Sequence, residues 1–533
     1  MKKFWMPLAF AATLSAGIIL GWMLSRQNRV GFSSEDKLLH VFDLIQTEYV
    51  DEVDIDSLVE MTIPVMLENL DPHSAYIPAK DLKSVNEELD GKFSGIGISF
   101  RIHNDTLNVM EVISGGPSEK VGILAGDRII KVDGQDIAAK GIKDEEVMKM
   151  LRGEKGTKVS LTIKRASSKK PLTFDVIRDD IPVESIDASY MLNDSVGYVK
   201  VSRFGRTTYR EFLQALNSLR LQGAGSFVVD LRSNTGGYME PAVMMVNEFL
   251  PYGKIIVSTR GRESDRDDTL ISDGTGAFQD YGLVVLINEL SASASEIFSG
   301  AVQDNDRGWI VGRRSFGKGL VQKPILLPDS SEIRLTIQRY HTPSGRSIQK
   351  DYKPGQMVDY DNDLINRFNN GELLSADSIK LNIDDKFYTV GGREVYGGGG
   401  IMPDYFVPDD TAHVTSYYVN VNNHGLTIKY AYQYADANRA EISKAKTVDE
   451  LLGMLPPDGV LLGDFVKYAS DNGVPARWYY INISAPLIVN QLKALIARSV
   501  FGIQGYYEVM NREDKTVQEA MRHAAMPLDT PGK

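Results

Sequence analysis

The segment Leu283–Gln322, LVVLINELSASASEIFSGAVQDNDRGWIVGRRSFGKGLVQ, constrains this chain more than any other. Leu283–Ile287 is an apolar run that reads as a buried strand and stops at Asn288. A serine-rich turn comes next, and then Ala294, Ile297, Phe298, Ala301 and Val302 recur at helical spacing. A second short strand, Trp309–Val311, leads into Ser315-Phe316-Gly317-Lys318-Gly319, with Gln322 beyond. A serine where a strand hands over to a helix is placed to be a nucleophile. The unpaired N–H groups and positive dipole end of the helix favour negative charge developing there. A lysine between two glycines, in apolar surroundings, can lose solvation and become a neutral base.

Three serines compete for that role: Ser291, Ser293 and Ser295. Helical geometry puts Ser293 and Ser295 roughly 200° apart, so one at most faces a given partner. Ser293-Ala-Ser-Glu296 also fits the S-x-x-E capping box, in which Ser293 merely caps the helix. Between residues 190 and 350 a Ser-His-Asp triad would have to use His341, at the end of the strand Glu332–Tyr340.

Strands and helices alternate from Val196 to Lys350, which implies an α/β core. Strand Val196–Val201 precedes a helix near 207–222. Strand Phe227–Leu231 leads into Arg232-Ser-Asn-Thr-Gly236-Gly237 and a helix over Glu240–Leu250. Upstream, Gly91–Arg178 reads as a small domain of strands with a helix near Asp144–Leu151. Ser33–Leu89 is helical, and Pro64 is expected to kink or split its second helix. His73, in Leu70-Asp71-Pro72-His73-Ser74, has no neighbouring His or Cys and reads as structural. Thr447–Leu455 and Pro486–Met510 have helical apolar spacing.

These motifs resemble the carboxy-terminal processing peptidases, serine peptidases of the S41 family. The resemblance lies in S-A-S-A-S-E-I (Ser291–Ile297), F-G-K-G (Phe316–Gly319) and a glutamine four residues after the lysine. Asp230–Gly237 is similar to the family's D-L-R-x-N-x-G-G segment. Gly400-Ile401-Met402-Pro403-Asp404 is similar to its closing G-I-x-P-D. The resemblance implies Ser293 as nucleophile, Lys318 as general base and Gln322 as the residue orienting the lysine. It also implies an oxyanion hole from the Ala294 N–H and one of Gly236 or Gly237. The Gly91–Arg178 region resembles a PDZ domain, in which Gly95-Ile96-Gly97-Ile98 would capture a peptide's terminal carboxylate and add the peptide as a strand.

The implied fold is mixed, multidomain α/β: a crotonase-like S41 core at 179–409 with a PDZ domain (91–178) inserted on its N-terminal side. Helical regions flank it, at 33–90 and at 410–533; the role of the latter is not read from the sequence. The implied function is endoproteolysis of extracytoplasmic proteins selected by apolar C-terminal tails. A catalytically inactive peptide-binding scaffold is the alternative, and a crotonase-like acyl-CoA enzyme is disfavoured.

The net charge of −12 argues against a nucleic-acid partner. No His/Asp/Glu grouping has metal spacing, so neither metal nor other cofactor is expected. Zero cysteines exclude disulfides and a thiol nucleophile. Phe4–Leu24, uncharged and preceded by Lys2 and Lys3, reads as a signal anchor within residues 1–30, with a cleaved signal as runner-up. That predicts a membrane-attached protein with its body outside the cytoplasm, in the periplasm of a two-membrane bacterium. A homo-oligomer or an adaptor protein is left open.

Overall fold

The computed structural model describes residues 10–20 and 33–524, apart from 104, 114, 166, 264–266 and 381–383. Residues up to Leu70 form one compact unit and Asp71–Lys533 a second. The first unit holds helices Ser34–Glu48 and Ile55–Glu68. Ser33 and Asp36 close a capping box at the start of the former. Pro64 does not split the latter: the helix gives up one N–H bond there and runs on. Of Phe4–Leu24 the described part is residues 10–20, which are helical; the rest of the run lies outside the described residues, and no described helix is long and apolar enough to cross a membrane.

The second unit begins with Asp71–Ser74 and a short strand, β1 (Ala75–Ile77). These residues therefore belong to the unit that carries the sheets rather than to the helices before them. The inserted domain is a six-stranded antiparallel sheet. Its edge strand, β2 (Ile98–His103), lies beside helix α1 (Asp144–Leu151). Ile96, Val109, Ile129, Val147 and Leu161 fill its core.

The central sheet explains why the apolar runs of the sequence are continuous. Strands β3 (Ile186–Met191), β4 (Val196–Val201), β5 (Ser226–Asp230), β6 (Gly282–Ile287), β7 (Trp309–Gly312) and β10 (Tyr405–Phe406) lie side by side. All neighbours from β4 onward are parallel. Parallel sheets are covered on both faces, so alternate side chains of one strand enter two different cores. Val229, Val285, Ile287 and Ile310 pack under helices Thr208–Leu221 and Met239–Asn247 and under α2 (Ala294–Asp304). Val228, Val284, Leu286 and Val311 face the other way.

A second sheet lies across the site. The hairpin of β8 (Leu320–Leu326) and β9 (Glu332–His341) carries β1 and strand Ile255–Gly261 one after the other along the second edge of β9. The C-terminal region is helical, as expected. Its helix α3 (Leu426–Ala437) packs on α4 (Trp478–Met510), which starts before Pro486 and kinks at Gly502. This region also touches the inserted domain, through Arg439 to the Ala125 carbonyl at 2.8 Å and Arg498 to Glu111 at 2.9 Å. The last described helix, α5 (Lys515–Ala524), supplies Val517, Ala520 and Ala524 to the outer face of the central sheet.

Candidate active site

Three loops leave the carboxyl ends of three adjacent parallel strands. β5 hands over to Arg232–Gly237, β6 to Ser291–Ser293, and β7 to Ser315–Gly319. In-register pairing of Asp230 with Leu286 and of Ile287 with Gly312 puts the loops side by side. Strand ends of this kind are where open α/β sheets build their sites.

The serines separate cleanly. Ser291 and Ser295 are buried and donate to the backbone carbonyls of Leu231 and Asn234, both at 2.8 Å. Ser293 is partly exposed and sits at φ 56°, ψ −113°, a strained conformation for a residue with a β-carbon. Such strain persists only where surrounding contacts hold it.

Two buried side chains hold it here, and both reach Lys318. Glu296 accepts the Ser293 N–H at 2.8 Å and the Lys318 N–H at 2.9 Å on one carboxylate oxygen. Its other oxygen accepts the Ser315 hydroxyl at 2.5 Å and the Gly317 N–H at 2.7 Å. Tyr340, also buried, reaches the Ser293 carbonyl at 3.1 Å and the Lys318 carbonyl at 2.5 Å with one hydroxyl. Chain segments far apart in sequence are thus clamped at both polarities of the backbone. S-x-x-E signals Glu296 only as a cap, and no local pattern signals Tyr340.

Electrostatics are set by the burial. Burial pushes the Lys318 ammonium below its ordinary pKa; Glu296 and Asp71 oppose the shift and Arg334 adds to it. Burial also raises Glu296 to about 7, against the four hydrogen bonds that favour its ionised form. His341 forms no triad. It adjoins Tyr340 on β9, so its side chain leaves the opposite face of the strand from the one that reaches Ser293. His73 is held by Tyr360, Nε2 to hydroxyl at 2.7 Å. Burial first, and Lys318 second, depress its pKa to about 3, so the ring stays neutral.

The glycine pair is asymmetric. The Gly236 N–H donates to Asn234 Oδ1 at 2.9 Å, whereas those of Gly237 and Ala294 meet no acceptor among the described residues. A β-carbon on Gly236 would stand 2.8 Å from the Ser293 β-carbon, and one on Gly237 would overlap the Phe204 carbonyl oxygen. Both sit at positive φ, so glycine is required twice over. Beneath them Asp230 is buried with Arg232, Lys200 and the Tyr198 hydroxyl, and these partners hold its carboxyl well below the usual range against its burial.

Gly95, Ile96, Gly97 and Ile98 form one wall of a groove of about 290 Å³, closed by Asp144, Met148 and Leu151 of α1 and by Arg152. The Ile96 side chain points into the domain core, so its part of the wall is backbone. Gln322 lies on β8 and donates its amide to Thr336 on β9 at 3.3 Å.

A parallel α/β core with a groove-bearing domain inserted ahead of it is matched, part by part, by the family models of a serine-type peptidase. The family model of peptidase family S41 matches residues 195–360 and that of a PDZ domain 94–177. The activating protease CtpB N-terminal domain matches 23–81, and a family of unknown function matches 417–502. A carboxy-terminal-processing protease of Bartonella bacilliformis is 38% identical over 319 residues, 58% of this chain and 71% of that protein. The carboxy-terminal processing protease CtpA of Bacillus subtilis is 33% identical over 359 residues, 66% and 75% of the two chains. Among solved structures, a photosystem II D1 C-terminal processing protease aligns over 61% of this chain and 92% of its own, at 26% identity and a TM-score of 0.33. The chain belongs to the carboxy-terminal processing proteases of peptidase family S41.

Proposed function

We propose that the protein is an endopeptidase that cuts extracytoplasmic proteins selected by apolar C-terminal tails, using a Ser293–Lys318 dyad assisted by Gln322. The observation that carries this reading is the double clamp of Glu296 and Tyr340 on the Ser293 and Lys318 backbones. Ser293 Oγ attacks the scissile carbonyl carbon while its proton passes to neutral Lys318 Nζ. The unpaired N–H groups of Gly237 and Ala294 receive the oxyanion, and Gly236 gives Ser293 room. Lys318 returns the proton to the leaving amine nitrogen, and water then hydrolyses the acyl ester through the same groups. A tail would enter the groove of the PDZ domain as a strand on the free edge of β2, its carboxylate on the backbone of Gly95–Ile98. The uncharged run Phe4–Leu24 and the absence of cysteine support anchoring in a membrane with the body outside the cytoplasm.

Protein lacking residues 1–30, incubated with an unfolded substrate ending in an apolar tail, tests this by mass spectrometry of the fragments. Ser293→Ala and Lys318→Ala should each lower turnover by roughly 10³-fold or more. Cleavage surviving either substitution would overturn the dyad, and tail binding without cleavage by the unmutated protein would favour a scaffold.

Activity should also rise with pH. Lys318 must be uncharged to accept a proton, and its lowered pKa sets an acid limb below the ordinary lysine range. Protonation of Glu296 as pH falls through about 7 removes acceptor capacity from the same loops and steepens that limb. A kcat profile from pH 5 to 9 that climbs toward acid would exclude this role for Lys318.

A further inference from the structure

Asp71 sits outside the catalytic motifs, yet it is buried and fully used. Oδ1 accepts the His73 N–H at 2.8 Å, the Ser74 N–H at 2.9 Å and the Thr336 hydroxyl at 3.0 Å; Oδ2 accepts the Ser74 hydroxyl at 2.6 Å. Ser74 Oγ in turn accepts the Thr336 N–H at 3.1 Å. β1, immediately downstream, pairs antiparallel with β9 from Ala75–Arg334 to Ile77–Glu332. The loop is therefore stitched onto the hairpin that carries Gln322, and the stitch is at Thr336, the cross-strand partner of Gln322.

The chemistry of these groups gives the chain one direction. An ionised carboxylate only accepts, and four hydrogen bonds keep Asp71 ionised by outweighing the effect of its burial. Thr336 has one hydroxyl proton, and it goes to Asp71. What the Thr336 oxygen can offer Gln322 is then only a lone pair, and it accepts Gln322 Nε2–H at 3.3 Å. A flipped amide would set carbonyl oxygen against hydroxyl oxygen with no proton between them. The Gln322 carbonyl oxygen is consequently the free end of the amide and accepts no hydrogen bond among the described residues.

We infer that Asp71 and Thr336 are positioning residues for proton transfer: they fix the Gln322 amide so that its carbonyl oxygen, not its NH₂, is available to the Lys318 ammonium formed when Ser293 is deprotonated. This rests on the roles proposed above for Lys318 and Gln322. The charged or titratable groups that act on Lys318 are Glu296 from α2, Arg334 from β9, and Asp71 and His73 from the loop. His73 stays neutral, so the loop brings one anion and no competing cation.

The test is steady-state cleavage of an unfolded substrate with an apolar tail by Thr336→Val, Thr336→Ser, Asp71→Ala and Gln322→Ala, with Thr336→Val also placed in the Gln322→Ala background. Thermal unfolding of each variant is measured alongside. Thr336→Val, which keeps the size but not the hydroxyl, should lower kcat about tenfold or more with KM unchanged, and Thr336→Ser should restore it. Asp71→Ala should move kcat the same way, and Thr336→Val should cost nothing further once Gln322 is alanine. Wild-type kcat in Thr336→Val alongside an impaired Gln322→Ala would overturn the relay. Losses that multiply in the double variant would overturn it as well. Wild-type kcat in Gln322→Ala would instead remove the role of Gln322 itself, and the relay with it.

Discussion

Glu296→Gln should lower kcat by about 100-fold while leaving the fold assembled, the loss expected when reacting groups are misplaced by about 1 Å. The carboxylate meets four donors and offers them two acceptor oxygens. A glutamine keeps one acceptor and turns the other into a donor. Facing one way, the new NH₂ opposes the N–H groups of Ser293 and Lys318. Facing the other, it opposes the Gly317 N–H and the Ser315 hydroxyl, whose oxygen already accepts the Ile401 N–H at 2.6 Å. Either orientation pushes apart loops that must meet. The same substitution has a second signature. Because burial raises the folded-state pKa of Glu296 from 4.5 to about 7, its contribution to stability is present at low pH and is lost as pH rises through about 7. That contribution is roughly 3 kcal/mol at the conversion of about 1.4 kcal/mol per pKa unit. Thermal unfolding of the glutamine variant between pH 4.5 and 8 should therefore depend less on pH than that of the parent. Unchanged kcat would mean that the clamp does not position Ser293 or Lys318.

Ending the chain after Met510 should destabilise the peptidase core, far from the helices that the deletion leaves in place. α5 covers the outer face of β5, β6 and β7 with Val517, Ala520 and Ala524, against Val228, Val284, Leu286 and Val311. Asp514, just before it, pairs with Arg232 at 2.7 Å, and Arg232 shares the buried Asp230 carboxylate under the glycine loop. Asn511 donates to the Tyr190 hydroxyl at 2.7 Å, and His523 stacks on Tyr405 at 3.6 Å. Uncovering several aliphatic side chains, at about 1.5–3 kcal/mol each, approaches the total stability of a domain, about 5–15 kcal/mol. The truncated protein should lose at least ~10 °C in Tm or fail to stay soluble. A truncated protein with the parent's Tm and activity would show that the sheet does not need this cover.

Local patterns carried the elements that bear the chemistry. Buried strands announce themselves as apolar runs, and the helix after Ser293 by its 3.6-residue spacing. Those signals located Leu283–Ile287, the helix beyond Ser293 and the hairpin strand from Glu332, each close to its observed bounds. Glu296 was visible only as the cap of its own helix, because three of its four partners lie some twenty residues on. The Asp71 loop looked like part of a helical region because nothing local signals its pairing with β9.

By itself the sequence determined the strand and helix periods, the three serines and the lysine available for chemistry, and the two glycines of the loop after β5. These depend on side-chain type and short spacing, which the chain states directly. Only the tertiary structure decided which serine is exposed, which glycine N–H is unpaired, and which distant side chains hold the site. Those are matters of register and hydrogen-bond partnership, settled when β5, β6 and β7 align their carboxyl ends and Glu296, Tyr340 and Asp71 find their partners across the sheet.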